Sequence, residues 1–551
     1  MGNMKNYEQT YADFKFEVPA DFNWARDTFD KWGEDRGKLA LWVVDDFGNE
    51  EKFTFAEMTR LSKKLANVFS ANNIKEGDKV IVILGRLPAW WISILACLRS
   101  GVIVSPGTGQ LTPKDIQYRF ESSGAVAMIC DEGNAAKVDA VADKCPTLTT
   151  KIVVGSREGW LSFDEEVEKA ADDFEAAATT CDTQSILYFT SGTTGMPKMT
   201  VHTHATYGIG HTITGKFWLD LTPDDIHWNL SDTGWAKAAW SSYFGPWNCG
   251  AAVFAHNSPG KFDGKQVLGM IDKYPITTLC GPPTAYRVFV QEDLTKYTFK
   301  ALRHCVAAGE PLNPEVINVW KEATGNTIYD GYGQTETVLL VANFPCNEVR
   351  PGSMGKMSPT FYIGIIDDEG NEAPAGQEGD IAVRVKPVRP VGLFKEYYNE
   401  PERTAATYRG DWYVTGDRGI KDEDDYIWFV GRADDVILTS GYRIGPFEVE
   451  SALIEHPAVA ESAVVASPDE VRGEIVKAFV ILAPGYQGSP ELVKEIQDFV
   501  KKVTAPYKYP REIEFVESLP KTISGKIRRI ELRDAEKQKK MLKMTEEGTA
   551  S

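Results

Sequence analysis

The feature that most constrains the fold is an alternation between short β-branched runs and longer amphipathic segments. Apolar runs stand at residues 79–84, 126–130, 151–154 and 185–189, whereas residues 55–72 repeat their apolar positions with a helical period. Alternating strands and helices are typical of an α/β fold whose sheets are largely parallel. We therefore predict α/β layers for the first part of the chain.

The pattern changes twice further along. Residues 352–430 contain short strands, turns and frequent Gly and Pro, which predicts a more antiparallel, β-rich subdomain. Beyond Gly431, helical periodicity at 446–456, 490–503 and 526–541 surrounds predicted strands at 463–466 and 476–482. A chain of 551 residues also exceeds what one core usually serves. We predict a large domain over residues 1–433 and a small α+β domain over residues 434–551.

Charge and composition exclude several classes of protein. The net charge of −19 would repel nucleic acid and anionic membrane surfaces, and we interpret the basic stretch 526–543 as a solvated helix. The eight cysteines form no CxxC pair, which suits reduced thiols and no structural zinc. The apolar window 89–98 is too short to span a bilayer, and the first residues lack an apolar signal core. These features predict a soluble, cytoplasmic protein.

A loop rich in hydroxyl groups and glycine follows the predicted strand 185–189. Its sequence, TSGTTGMPK, occupies residues 190–198. Glycines let backbone N–H groups approach an anion, and hydroxyls and a lysine add donors and positive charge. The spacing is not that of a Walker A loop. A phosphate-binding loop and a flexible surface loop both remain open from this composition alone.

The complete string resembles the signature loop of the adenylate-forming superfamily, which contains acyl-CoA synthetases, peptide-synthetase adenylation domains and luciferases. Further similar motifs follow in the superfamily's order: GEP at 309–311, DGYGQTE at 330–336, YVTGD at 413–417, GRAD at 431–434, SGYR at 440–443 and PKTISGK at 520–526. Met199, Tyr442 and residues 505–510 look most like the medium-chain acyl-CoA synthetases. The resemblance spans essentially the whole chain and implies a mobile C-terminal domain.

The resemblance implies an enzyme that activates a carboxylic acid with ATP and transfers the acyl group to coenzyme A. Lys526 and Lys198 are the implied catalytic residues, and Glu336 is the implied ligand of Mg²⁺. The implied ATP site comprises Thr190, Ser191, Gly192, Thr193, Thr194, Gly195, Met196, Pro197, Lys198, Gly309, Glu310, Pro311, Asp330, Gly331, Tyr332, Gly333, Gln334, Thr335, Asp417, Arg432 and Lys526. Asp417 suits two vicinal ribose hydroxyls, and Tyr332 suits a purine ring.

The superfamily's second step uses a different orientation of the small domain, rotated about a hinge that corresponds to Asp434. In that orientation Lys526 leaves the site and coenzyme A is bound. The implied coenzyme A contacts are Ser440, Gly441, Tyr442, Arg443, Arg472, Lys501 and Tyr509. Basic side chains suit the nucleotide phosphates, although exposed Lys501 and Arg472 are equally typical of solvated surface residues.

The acyl pocket is expected to be lined by Trp235, Lys237, Trp240, Cys280 and Gly333. Acetate-specific relatives carry Trp where this chain has Gly333, so the pocket is open there, and Trp240 can partly refill it. The pocket therefore predicts short- to medium-chain acids, branched or cyclic ones included. Two alternatives remain open: Trp240 packs in the hydrophobic core, and Lys237 is a lysine at the surface.

Other functions stay open at this point. Acetyl-CoA synthetase activity follows if Trp240 closes the pocket. A peptide-synthetase adenylation domain would be followed by a carrier domain, for which too little chain follows Lys526. A luciferase-like oxygenase or a catalytically silent regulator are further alternatives. The expected partners are a small carboxylic acid, ATP, Mg²⁺ and coenzyme A, with no nucleic acid and no membrane span.

Overall fold

The computed structural model describes residues 2–190, 197–439, 442–469, 472–521 and 526–548. The strands in chain order are β1 (Leu39–Asp45), β2 (Glu50–Thr54), β3 (Lys79–Ile83), β4 (Ile103–Pro106), β5 (Ala127–Asp131), β6 (Thr150–Val154), β7 (Leu161–Ser162), β8 (Gln184–Thr190), β9 (Lys198–Thr203), β10 (Ile226–Asn229), β11 (Ala252–Asn257), β12 (Thr278–Gly281), β13 (His304–Ala308), β14 (Ile328–Tyr332), β15 (Val341–Ala342), β16 (Ser353–Met357), β17 (Ile363–Ile366), β18 (Glu378–Arg384), β19 (Glu396–Tyr397), β20 (Tyr408–Arg409), β21 (Trp412–Lys421), β22 (Ile427–Arg432), β23 (Ile437–Thr439), β24 (Tyr442–Ile444), β25 (Val459–Asp469), β26 (Gly473–Leu482) and β27 (Glu512–Phe515).

The α-helices are α1 (Tyr7–Asp13), α2 (Asp30–Trp32), α3 (Phe55–Ala71), α4 (Pro88–Ser100), α5 (Pro113–Ser123), α6 (Glu132–Asp139), α7 (Phe163–Lys169), α8 (His211–Ile213), α9 (Ala236–Ala239), α10 (Gly245–Asn248), α11 (Gly264–Lys273), α12 (Pro283–Phe289), α13 (Pro314–Thr324), α14 (Pro401–Ala405), α15 (Pro446–Ile454), α16 (Pro490–Val503) and α17 (Arg529–Gly548). Shorter π-helical segments lie at Ala25–Phe29, His204–Ile209, Thr214–Trp218 and Trp240–Phe244, and 3₁₀ turns at Ala142–Lys144, Leu294–Lys296 and Pro506–Lys508.

Two sheets build the first part of the chain. One has the strand order β19-β9-β8-β4-β3-β5-β6-β7, parallel from β8 to β7, with β9 and β19 antiparallel. The other runs β17-β18-β21-β22-β16-β15-β14-β13-β12-β10-β11-β1-β2. Its segment from β14 to β1 is parallel, and the strands from β15 to β17 are antiparallel. The α/β prediction is thus confirmed, and the β-rich region is an antiparallel extension of a parallel sheet.

The last part of the chain has its own sheet and apolar core. The order is β24-β23-β26-β25, and β27 pairs in parallel with β26. A buried cluster that includes Ile437, Leu453, Val476 and Ile496 packs α15 and α16 against this sheet. Residues 433–436 connect it to β22. This separate core supports the domain boundary at Asp434, which stays a prediction.

The basic stretch near the C-terminus differs from its prediction. The helix starts at Arg529, three residues later than predicted, and it is not fully solvated. Glu536 is only 2% exposed and accepts a hydrogen bond from the Lys477 ammonium at 2.6 Å. One face of α17 therefore packs on the small sheet, because its acidic and basic side chains find buried partners there.

Candidate active site

The candidate nucleotide-binding residues meet at one edge of the second sheet. Residues 309–311 follow β13, and Tyr332 ends the neighbouring parallel strand β14. Carboxyl ends of adjacent parallel strands open onto a common crevice, where ligands bind in α/β folds. Gly309 has φ of +105°, and a Cβ there would meet nothing within 4 Å. The backbone at Gly309 therefore borders open space.

Asp417 is the best-organised acceptor at this edge. The Tyr332 hydroxyl and the Gln334 amide both donate to its Oδ2 at 2.7 Å. Arg432 pairs with Asp417 across β21 and β22, and its Nε lies 3.7 Å from Oδ1. Burial raises the pKa of Asp417, and the Arg432 guanidinium acts in the opposite direction. The Asp417 carboxylate is thus held in place through Oδ2, while its Oδ1 faces the Arg432 guanidinium.

Lys526 lies at the same crevice, although it is far away in sequence. Its side chain is exposed, yet the surrounding protein desolvates the ammonium and lowers its pKa, while the nearby Glu310 carboxylate opposes that shift. Arg432 and Asp417 also act on its pKa. Glu310 is in turn paired with Arg287 at 3.1 Å. The small domain therefore presents Lys526 to the residues around Asp417.

The hydroxyl-rich loop joins two antiparallel strands. Thr190, the last residue of β8, is paired directly with Lys198, the first of β9, and the Pro197 carbonyl accepts from the Tyr118 hydroxyl at 3.1 Å. The predicted ATP contacts Ser191, Gly192, Thr193, Thr194, Gly195 and Met196 lie outside the described residues. The paired ends fix where this loop leaves and rejoins the sheet.

Tyr397 links Lys198 to the predicted metal ligand. Its hydroxyl donates to Glu336 Oε1 at 2.8 Å, and the Lys198 ammonium lies 4.9 Å from the centre of its ring. Within the described ranges no group of three or more His, Cys, Asp or Glu side chains is arranged to hold a metal. A lone carboxylate fits Mg²⁺, which keeps waters and takes phosphate oxygens as its remaining ligands.

Asp330 and Thr335 occupy supporting positions. Asp330 is 6% exposed, its Oδ1 accepts the Gly331 N–H, and burial raises its pKa to about 8. The Thr335 carbonyl oxygen lies 2.7 Å from both His202 Nε2 and the Tyr207 hydroxyl. Burial lowers the pKa of His202 to about 3, so this imidazole is neutral and donates through Nε2. These contacts, made by β9 and the segment that follows it, hold residues 330–336 in place.

Gly333 and Trp240 touch each other. A Cβ at Gly333 would lie 2.4 Å from Trp240 Cη2, so only glycine leaves room for this indole. Trp240 is 5% exposed and packs beside His211 at a ring separation of 5.4 Å. Trp240 therefore occupies the space that a side chain at position 333 would need, and its role in an acyl pocket stays a prediction.

Lys237 points inward rather than to the surface. Its ammonium donates to the carbonyls of Gly281 at 3.1 Å and Ala308 at 2.5 Å, which end β12 and β13. Burial lowers its pKa. Cys280 is fully buried and its Sγ accepts from Ser241 at 3.4 Å, while Trp235 is half-buried. The alternative of a surface lysine at 237 is wrong.

The predicted coenzyme A contacts lie on the small domain. Tyr442 is half-exposed and stacks on Tyr507 at 4.3 Å, and the Lys501 ammonium lies 4.1 Å from the Tyr509 ring centre. The Arg472 N–H donates to Asp469 at 2.9 Å. Ser440, Gly441 and the side chain of Arg443 lie outside the described part of the chain. Lys526 of the same domain lies close enough to Asp417 to act on the pKa of that carboxyl.

Several site residues were missed by sequence reasoning. Tyr397, His202, Tyr207 and Arg287 contact predicted residues but stand outside the recognised motifs. The histidine of strand β9, which is buried there, is the local signal that could have drawn attention. The other contacts depend on pairing between distant segments. In the described part of the chain, no helix is both long and apolar enough to cross a membrane.

Comparisons with known proteins give a consistent result. The model of the AMP-binding enzyme family matches residues 29–398, and that of the AMP-binding enzyme C-terminal domain matches residues 448–526. The acyl-coenzyme A synthetase ACSM3, mitochondrial, of Rattus norvegicus is 54% identical over 97% of this chain and 94% of its own length. The human acyl-coenzyme A synthetase ACSM4, mitochondrial, is 52% identical over 96% and 94%.

Solved structures agree with the relatives. The anthranilate CoA ligase AuaEII, crystallised with anthranoyl-AMP, superposes with a TM-score of 0.87 at 30% identity and covers 95% of this chain and 99% of its own. The acyl-CoA synthetase of Brucella canis has a TM-score of 0.75 at 34% identity and covers 97% and 100%. Both parts of the chain are therefore similar to carboxylate-activating ligases.

Proposed function

The chain belongs to the AMP-binding enzyme family and is an AMP-forming acyl-CoA synthetase, and we propose that it activates short- to medium-chain carboxylic acids, branched and small-ring acids included. The reaction converts a carboxylic acid, ATP and coenzyme A to acyl-CoA, AMP and diphosphate through an acyl-adenylate. The observation that carries the assignment of residues is the meeting of Lys526 with Asp417, Arg432 and Glu310 at one crevice.

In the first step a carboxylate oxygen attacks the α-phosphorus of ATP and diphosphate leaves. Both reactants are anions, so the barrier is mainly electrostatic and positional. Lys526 would place its positive charge against the reacting oxygens. Asp417, fixed by Tyr332 and Gln334, would accept the ribose hydroxyls. Lys198 and the loop that it closes would hold the β- and γ-phosphates.

Glu336 is the proposed carboxylate ligand of Mg²⁺. Tyr397 orients this side chain by donating to one of its oxygens at 2.8 Å, which leaves the other oxygen for a cation. When bound, Mg²⁺ neutralises phosphate charge. Lys198 is held beside the same tyrosine ring. The chain therefore places one anion and one cation next to the position proposed for the triphosphate.

In the second step the thiol of coenzyme A attacks the acyl carbon and AMP leaves. We propose that the small domain rotates at Asp434, which withdraws Lys526 and brings the segment around Tyr442 to the adenylate. Lys501, Tyr509, Arg472 and Arg443 would then bind coenzyme A. The two tyrosine contacts, Tyr442 on Tyr507 and Lys501 on Tyr509, supply a preformed surface for it.

The contact between Gly333 and Trp240 supports the proposed size of the acid. The buried indole fills space that the glycine leaves, which would shorten an acyl pocket at this position. A panel of unbranched, branched and cyclic acids, assayed for AMP release that depends on both ATP and coenzyme A, tests this. We expect an optimum above acetate and below long-chain fatty acids. The same contact favours one second candidate: an optimum at acetate would show that Trp240 closes the pocket.

The cellular location also stays a proposal. We expect a cytoplasmic enzyme, whereas the names of the two mammalian relatives place those proteins in mitochondria. Fractionation of cells that express the native protein distinguishes the two compartments.

A further inference from the structure

Arg533, on helix α17, reaches back to the connection between the two domains. Its Nη1 donates to the main-chain carbonyl of Asp434 and, at 2.9 Å, to Asp435 Oδ1. Both side chains of the Arg533–Asp435 pair are 16% exposed, so this pair is better shielded from water than ordinary surface ion pairs. The peptide that joins Asp434 to Asp435 is thus bound to α17.

Helix α17 is itself fixed to the small domain. Arg529, one turn before Arg533, forms a two-point contact with Glu450 of α15 at 3.0 and 2.6 Å. Further along α17, Glu536 pairs with buried Lys477 of β26 at 2.6 Å. A group that is held by Arg533 therefore moves with the small domain.

We propose that Arg533 is a positioning residue that confines the interdomain hinge to the backbone dihedrals of Asp434. This proposal rests on the proposed function, because the rotation matters only if one site performs two half-reactions. Since Arg533 holds the carbonyl of Asp434 and the side chain of Asp435, dihedrals beyond that peptide are not free to rotate. The N–H groups of Asp435 and Val436 donate to the Arg432 carbonyl of β22 at 2.9 and 3.3 Å, so the rotation must break these two hydrogen bonds and is then absorbed at φ and ψ of Asp434.

A cavity of about 310 Å³ borders this contact, and its lining includes Asp435, Val436, Ile530, Arg533 and a second basic side chain, Lys537. Without the guanidinium, residues 435 and 436 would face this space rather than close-packed side chains. The hinge would become longer and looser, and Lys526, three residues before α17 begins, would be placed less exactly at the adenylation site.

The proposal is tested by combining Arg533 variants with Asp434→Pro. Proline fixes φ of residue 434 and should reduce thioester formation from supplied acyl-adenylate by about tenfold or more. Arg533→Met in that background lets residues 435 and 436 absorb the rotation, so thioester formation should recover by about threefold or more. Arg533→Lys retains a hydrogen-bond donor, so thioester formation should recover less in that double variant. Arg528→Met is the matched control, because Arg528 lies just before α17 and forms an exposed ion pair with Glu531 at 2.5 Å.

Each outcome decides between the alternatives. Recovery with Arg533→Met but not with Arg528→Met supports the proposal. No recovery in a double variant whose thermal unfolding matches that of Asp434→Pro overturns it, as does normal acyl-CoA formation by Asp434→Pro alone. If Arg533→Met does not fold, Arg533→Gln and Arg533→Lys carry the same comparison. Failure of the wild-type protein to form any acyl-adenylate would instead overturn the proposed function.

Discussion

At the scale of single residues, Lys526 joins the two parts of the molecule. Glu310, Arg432 and Asp417 influence its ammonium, although these residues belong to different strands and loops. Lys526→Ala should lower adenylation by about 10²- to 10³-fold, because a charge aimed at the reacting oxygens is lost. Thioester formation from supplied acyl-adenylate should be spared. Acid-dependent pyrophosphate exchange measures the first half-reaction, and equal losses in both would contradict the assignment.

The lowered pKa of Lys526 predicts a pH dependence. A lysine is cationic below its pKa, and desolvation brings that pKa below the ordinary value of about 10.4. Adenylation should therefore decline, as pH rises, before an exposed lysine would lose its proton. The pH profile of pyrophosphate exchange tests this. Lys526→Arg, which stays charged, should lack this alkaline decline, and an unchanged profile would assign the decline to another group.

Trp240 belongs to the same scale. Trp240→Ala should move the preferred acid to longer chains and weaken the use of short ones, since each buried methylene contributes about 0.8 kcal/mol. Values of kcat/KM over a series of acids measure the shift. Trp320→Phe is the control, because Trp320 is fully buried in a separate cluster and should change stability alone. If Trp240→Ala lowers stability but leaves the dependence of kcat/KM on chain length unchanged, Trp240 is a core residue and does not set the size of the acid.

At the scale of elements, the sequence predicted the features that local interactions determine. It did not predict those that depend on contacts between distant segments. The β-branched run 79–84 corresponds to β3. The predicted ends of the helix 490–503 agree with those of α16, because Ser489 caps this helix and Pro490 starts it. The start of α17 was misplaced, since Arg529, Arg533 and Glu536 are fixed by partners far away in sequence. In the site, motif residues could be predicted, whereas Tyr397 and His202 could not, because pairing of distant strands brings them there.

The hinge is tested at this scale. Asp434→Pro should leave pyrophosphate exchange intact while acyl-CoA formation collapses, because proline fixes the φ dihedral that the rotation uses. Within the described residues the Asp434 N–H donates no backbone hydrogen bond, so the substitution removes none. Ala433→Pro is an informative neighbour, since its N–H does donate to Gly416, and its loss should reduce stability as well. Normal acyl-CoA output from Asp434→Pro would place the hinge elsewhere.

At the scale of the whole molecule, the large part supplies a crevice with a fixed acceptor, and the small part supplies a cation that we propose is movable. Asp417 is held by Tyr332 and Gln334 within one sheet edge, while Lys526 reaches it from the small domain. This division explains how one crevice can serve two reactions that need different neighbours. In the structure Lys526 lies near Asp417 and Glu310, which is the arrangement that we propose for the first of them.

The most direct test of an acyl-adenylate follows the oxygen atoms. The acid is supplied with both carboxylate oxygens replaced by a heavy isotope, together with ATP, Mg²⁺ and coenzyme A, and the products are analysed by mass spectrometry. Attack of a carboxylate oxygen on the α-phosphorus, followed by thiol attack on the acyl carbon, must leave one heavy oxygen in each AMP and none in diphosphate. Heavy oxygen in inorganic phosphate with ADP as the nucleotide product, or unlabelled AMP, would contradict the mechanism.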